Sequence, residues 1–391
     1  MAAKRNLIIE LMRFVLSLFV VGYHTRSVAD YGGNSLFEYG YFAVEFFFVL
    51  SGFLLAGSLE RAYAAERRNV LADTGRFMWK KVRSLLPFHI VALVLVVIVL
   101  GAYDAQLLAD RLESGWTGIF FLQSAVVWTT CEGIIMPEWY LSTMLLVMLI
   151  IYPCAVLLGR KIKNKVWIPV ILIAGLAVIA VAVGFGVQWQ FTWNFSVDLR
   201  GFGEICLGML CYYLCRHISG KTVSKGGRTA LAVIEGVCYA AAFVLMCLPF
   251  DIMGTIGIPL VIILAAVAIT ISFSGHGIPS DRLPAKLCAL LGAVSLPLYM
   301  LHPVVIELAG LAFADLPSYA TVLICFVLSL ALTAACYAAY TAAKRAVRNR
   351  KKDTPAPPPV EESASADGGS CAAPDVAEEA AAEREEISAQ H

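Results

Sequence analysis

Arg13 and His24 stand eleven residues apart in one apolar run, NLIIELMRFVLSLFVVGYHT. On a helix that spacing is roughly 16 Å of rise and about 20° of rotation, so the two side chains share a face. A neutral imidazole can take the proton of an attacking hydroxyl, the work of a general base. A guanidinium lower on the same face can hold the carbonyl-bearing or anionic arm of a second reactant. Glu10 lies three residues before Arg13, the spacing of a side-by-side ion pair. The plain structural alternative is a pair that lets this helix enter a membrane.

Further polar residues interrupt other apolar runs. Glu45 lies in FEYGYFAVEFFFVLSGFLLAG, Glu138 and Trp139 in PEWYLS, Arg200 and Glu204 in DLRGFGE, and Tyr299 and His302 in SLPLYMLHPVVIEL. An ionisable group in a membrane helix is costly and marks function by default. Each also has a structural reading: Glu45 paired with an arginine for assembly, Trp139 in an aromatic belt, Arg200 and Glu204 as an intrahelical pair, His302 as a packed histidine. Lys80, Lys81 and Arg83, in WKKVRSLLPFHI, either anchor the helix ends or dock a phosphate-bearing ligand.

The elements that must carry these residues follow from composition. Of 391 residues 59% are hydrophobic and 15% charged, with a mean hydropathy of +0.76. Soluble domains carry roughly 25% charged residues, so lipid is the solvent for much of this surface. Backbone groups in hydrocarbon must be satisfied internally, which makes the apolar runs helices. Runs of about 20 residues predict ten spans: 6–25, 37–58, 85–102, 137–158, 166–185, 199–216, 229–248, 255–274, 287–308 and 318–343. The fold class is an all-α polytopic bundle. Lys and Arg concentrate before residue 6 and in 59–84, 159–165, 217–228 and 344–350, which places those segments and both termini in the cytoplasm. The apolar stretch 116–130 is short for a crossing and would invert that pattern, so it is expected to be re-entrant or interfacial.

On this topology His24, Glu45, Glu138, Arg200, Glu204 and His302 fall in the outer half, and Arg13, Lys80, Lys81 and Arg83 in the inner half. The layout predicts an outward-facing reaction site with a cationic passage to the cytoplasm. Residues 1–350 form the membrane domain. Residues 351–391 carry ten acidic and three basic residues among Pro, Ala and Ser, and read as a disordered cytoplasmic tail. The 11 cysteines include no CxxC pair, and Cys206, Cys211 and Cys215 are expected to be apolar filler rather than metal ligands. The first apolar run, with Glu10 and Arg13 and no small-residue cleavage site, does not read as a cleaved signal peptide.

Arg13-x10-His24 resembles the signature of the acyltransferase-3 family of integral membrane acyltransferases, with Glu10 where that family places an acidic residue. VEFFFVLSGFLLA (44–56) is similar to its second-span motif, and KKVRSLLPF (80–88) to its basic Arg-x-x-Pro motif. EWYLS (138–142) resembles its Trp-containing span, RGFGEICLG (200–208) its Arg-x-x-x-Glu span, and SLPLYMLHPVV (295–305) its Tyr-x-x-His span. The resemblance runs over residues 5–345 in order. Met144 stands where many members have Glu, and Met12 where many have Gly before the arginine. No soluble hydrolase-like domain follows the spans.

The resemblance implies acyl transfer, with acetyl the expected group, from cytosolic acyl-CoA to a hydroxyl of a carbohydrate or lipid-linked glycan. It implies a multi-pass protein of the cell membrane, with no bound cofactor, no metal and no nucleic-acid partner. The expected roles are His24 as base and Glu45 as the group orienting its ring. Arg13, Lys80 and Arg83 would bind the donor. Trp139, His302, Tyr299, Arg200, Glu204 and Glu10 would shape or support the acceptor pocket. An acyl-histidine intermediate is the alternative to direct transfer. A proton-coupled transporter or a non-catalytic member of the same family would share the buried polar residues. The absence of a visible repeat between the two halves weighs against a transporter.

Overall fold

The computed structural model describes residues 5–29, 36–65, 69–124, 133–186, 193–247, 253–281, 283–313 and 315–353. The tail from 354 and residues 125–132 lie outside the described residues. Two compact units divide the chain, residues 6–339 and residues 1–5 with 340–391. Residues 340–353 of the second are helical.

The described residues form α-helices with short 3-10 turns and no strand. The helices are α1 Leu7–His24, α2 Ala43–Ala64, α3 Val70–Tyr103, α4 Ala105–Gly115, α5 Trp139–Lys161, α6 Trp167–Gly186, α7 Trp193–Ser219, α8 Lys225–Cys247, α9 Met253–Ser274, α10 Ala285–Ala312 and α11 Ser318–Asp353. All but α4 match the ten expected spans. Among the described residues eight are long and apolar enough to cross a membrane. α6 and α7 match the other two, and α7 carries Asp198, Arg200 and Glu204 in its first half. The protein is a polytopic helical bundle.

The boundaries differ at α3. The basic segment before residue 85, expected as a loop, is helical from Val70 onward. Asn69 accepts a hydrogen bond from the Ala72 amide at 3.1 Å and caps the start. A helix of 34 residues spans about 51 Å, well beyond a hydrocarbon core of about 30 Å, so its basic first turns project past the apolar layer.

Chain direction is readable from the packing. α3 and α5 run antiparallel, because Tyr152 donates to Asp73 at 3.0 Å and His89 meets Glu138 at 2.7 Å. The chain therefore leaves α3 and enters α5 at the same end of the bundle. Residues 116–120 form a 3-10 turn there and Phe121 adopts a left-handed conformation with φ 57°. The end of α3 and the start of α5 thus lie on one side, and the stretch 116–130, expected to be re-entrant or interfacial, lies partly outside the described residues.

α1 and α10 run parallel, from Glu10 beside Gly292 to Val28 beside Gly310. α2 and α7 also run parallel and come very close. A Cβ on Gly52 would meet the Ile205 carbonyl, and one on Gly208 would meet the Val49 carbonyl. Small residues permit such backbone approach where apolar lipid gives no drive to associate. α5 packs on α2, α3 and α7, and joins the α1–α10–α3 group to the α2–α7–α9 group.

Candidate active site

Three contacts zip α1 to α10. The Glu10 carboxylate lies over the Gly292 backbone, in space a Cβ would fill, and pairs with Arg13 at 3.1 Å. Ser17 Oγ lies 3.2 Å from the Ser295 carbonyl. At the far end the His24 and His302 rings face one another with centroids 5.2 Å apart and planes tilted by 42°. The parallel register produces this meeting. His24 sits two turns above Ser17, and His302 sits two turns above Ser295.

His302 is fully buried. Its Nδ1 lies 2.8 Å from the Tyr299 carbonyl and 3.3 Å from the Leu298 carbonyl. Carbonyl oxygens only accept, so Nδ1 carries the proton and Nε2 of the neutral ring carries a lone pair. That Nε2 is buried and has no hydrogen-bond partner. The Tyr299 ring lies 5.9 Å from His302, and its hydroxyl donates to the Pro137 carbonyl just before α5. Tyr23 and Tyr41 continue the aromatic wall beyond His24, at centroid separations of 5.1 Å and 5.0 Å.

A second cluster lies where α2 meets α7. Glu45, on the first turn of α2, is fully buried. Arg200 Nη2 lies 3.5 Å from its carboxylate, and Arg200 Nε lies 3.7 Å from Glu204. One guanidinium thus serves two buried carboxylates, and it also lies 5.7 Å from the Trp139 ring. Sequence reasoning placed Glu45 against His24. The structure gives Glu45 an ion pair with Arg200, and gives His24 the His302 ring as its neighbour. The close approach at Gly52 and Gly208 brings Arg200 and Glu204 to that depth.

Tyr140 stands between the two clusters. Its ring packs on Tyr299 at 5.7 Å and on Phe48 at 4.6 Å, and its hydroxyl lies 3.4 Å from Ser51 Oγ. Both hydroxyls approach the Met144 sulfur, Ser51 at 3.4 Å and Tyr140 at 3.7 Å. The thioether is a weak acceptor.

His89 and Glu235 are among the buried groups that escaped the sequence reading. His89, on α3 after Pro87, meets Glu138 at 2.7 Å through Nδ1 and the Ile119 carbonyl at 3.1 Å through Nε2. This clamp ties α3, the 3-10 turn and the start of α5 into one unit. Glu235 on α8 is fully buried, accepting from Ser272 Oγ and from the Ile278 amide at 2.7 Å. Its partners make it a structural carboxylate. A lone ionisable residue in each apolar run was the signal available for both.

At the other end of α3, Arg76, Lys80 and Arg83 recur at spacings of four and three and form one exposed stripe. Lys81 turns inward, 5.8 Å from the Phe77 ring and within electrostatic reach of Arg13. A line of cations thus leads from the α3 surface to the α1 seam. Among the described residues no group of three or more His, Cys, Asp or Glu could hold a metal ion, and the cysteines there are free thiols.

A family model described as an acyltransferase domain matches residues 6–340. The chain belongs to the acyltransferase-3 family. The match runs from the start of α1 into α11 and takes in every residue of the two clusters and the cationic stripe. No curated protein and no solved structure matches the chain. This acyltransferase is a multi-pass membrane protein whose polar residues gather at the seams between helices.

Proposed function

We propose that this acyltransferase moves an acyl group, acetyl in the simplest case, from cytosolic acyl-CoA to a hydroxyl of a cell-surface carbohydrate or lipid-linked glycan. The observation that carries this reading is the distribution of charge along the α1 seam. A half-buried imidazole stands at one end, and a run of cations stands at the other, with Arg13 between them. A thioester donor bears phosphates, which suit Lys80 and Arg83, and an acyl arm, which suits an apolar bundle.

In the proposed step His24 takes the acceptor hydroxyl proton as the oxygen attacks the thioester carbonyl. The new C–O bond forms and the C–S bond breaks. The proton then passes from the imidazolium to the departing thiolate, leaving ester and free CoA. Arg13 holds the donor arm in the passage. Arg200, Glu204 and Trp139 form the wall against which a polyhydroxylated acceptor rests.

The test uses the purified protein in lipid nanodiscs with acetyl-CoA and a glycan extract. CoA release that depends on acceptor supports the reading, and it should be lost in His24→Ala inserted to the same level. Solute flux without thioester consumption would overturn it in favour of a transporter. Full activity of His24→Ala would remove the proposed base. Comparing surface glycan acylation in cells with and without the protein identifies the acceptor class.

A further inference from the structure

The reading above gives His24 a chemical task and leaves open what holds its ring. Glu45 is engaged by Arg200, and the group beside His24 is another imidazole. We propose that His302 is the positioning residue for His24, accepting a hydrogen bond at its Nε2 from the ring N–H of His24 that does not face the acceptor. The inference rests on the base role proposed for His24.

Three observations carry it. First, two main-chain carbonyls fix the His302 tautomer, so its free nitrogen is an acceptor. Second, that nitrogen is buried and unpartnered. A buried polar atom without a partner is unfavourable and calls for an explanation, and a partner that closes on it is one. Third, the separation fits. A ring nitrogen lies about 1 Å from its centroid, so centroids 5.2 Å apart let two facing nitrogens approach to roughly 3 Å, a hydrogen-bond length. A small rotation of His24, the less buried of the two rings, closes the contact.

The proton balance is simple. In the resting pair the His24 N–H points to His302 and its other nitrogen has the lone pair. That lone pair takes the acceptor proton. The resulting imidazolium has two N–H groups, one held by His302 and the other facing the thiolate that receives the proton. His302 ends each cycle unchanged, and it gives His24 one tautomer and one orientation. A carboxylate would do the same with more charge. The neutral acceptor leaves His24 less basic and better able to return the proton to sulfur.

The experiment compares His302→Leu, His302→Gln and His302→Ala in nanodiscs, with rates normalised to inserted protein and His24→Ala in the same preparation. The Leu variant keeps volume without an acceptor, whereas the Gln variant keeps an oxygen near the Nε2 position. Turnover should fall about 10- to 100-fold in His302→Leu, with the acetyl-CoA KM within about twofold. His302→Gln should stay within about fivefold of the parent, and millimolar imidazole should restore part of the His302→Ala turnover. Wild-type turnover in His302→Leu while His24→Ala is inactive would overturn this inference alone. Equal losses in the Leu and Gln variants without imidazole rescue would make His302 a packing residue. An active His24→Ala would instead overturn the base role itself.

Discussion

Glu138 and His89 meet at 2.7 Å with both side chains almost wholly buried, and they join the start of α5 to the middle of α3. Removing one partner leaves a polar group in a dry site, which costs roughly 3–5 kcal/mol for a charged pair. His89→Ala and Glu138→Ala should each lower the thermal unfolding midpoint in detergent, and the double variant should lose much less than their sum. Additive losses would show that the pair is not coupled.

The single guanidinium shared by Glu45 and Glu204 predicts a suppressor. Arg200→Leu leaves two buried carboxylates facing each other and should destabilise the protein by about 3–5 kcal/mol. Adding Glu204→Gln removes one of those charges and should recover a large part of the loss in the same unfolding assay. If the added substitution deepens the loss, the carboxylates do not depend on Arg200.

Gly52 and Gly208 set the distance between α2 and α7. A methyl at either position meets main-chain carbonyl oxygen rather than a movable side chain. Gly52→Ala and Gly208→Ala should each cost about 1–3 kcal/mol, the usual range for overpacking. Gly175 has open space around it, so Gly175→Ala should be neutral in the same thermal measurement.

The exposed stripe on α3 predicts a donor effect separable from chemistry. Arg83→Ala should raise the acetyl-CoA KM about tenfold, equivalent to roughly 1.4 kcal/mol, and leave turnover within about threefold. The shift should shrink as salt is added, because exposed charges are screened. An unchanged KM at low salt would remove Arg83 from donor binding.

Much of this architecture was legible in the sequence. Hydropathy located ten of the helices, and the basic segments ruled out a crossing between α3 and α5, in agreement with the antiparallel contact of Tyr152 with Asp73. His24, Arg13, Arg200, Glu204 and His302 could be named as polar residues interrupting apolar runs. What could not be read was which of them touch. Depth along a helix is periodic and legible, but the neighbour at a given depth depends on which helices pack together. Glu45 and His24 lie at compatible depths on consecutive helices, yet α2 takes α7 as its close partner and α1 takes α10. His89 was hidden for the same reason: its partner is 49 positions away and identified by packing. The extension of α3 below residue 85 was masked by its charge, which reads as loop where the helix simply continues into water.

The seam between α1 and α10 joins helices far apart in the chain, with His24 and His302 separated by 278 positions. During synthesis α1 enters the bilayer long before α10 exists. A ribosome that stalls after His24 and before His302 therefore releases a product with the first imidazole but not the second. Such fragments cannot assemble the pair. On the proposed mechanism the base therefore gains its positioning partner only once α10 has been made.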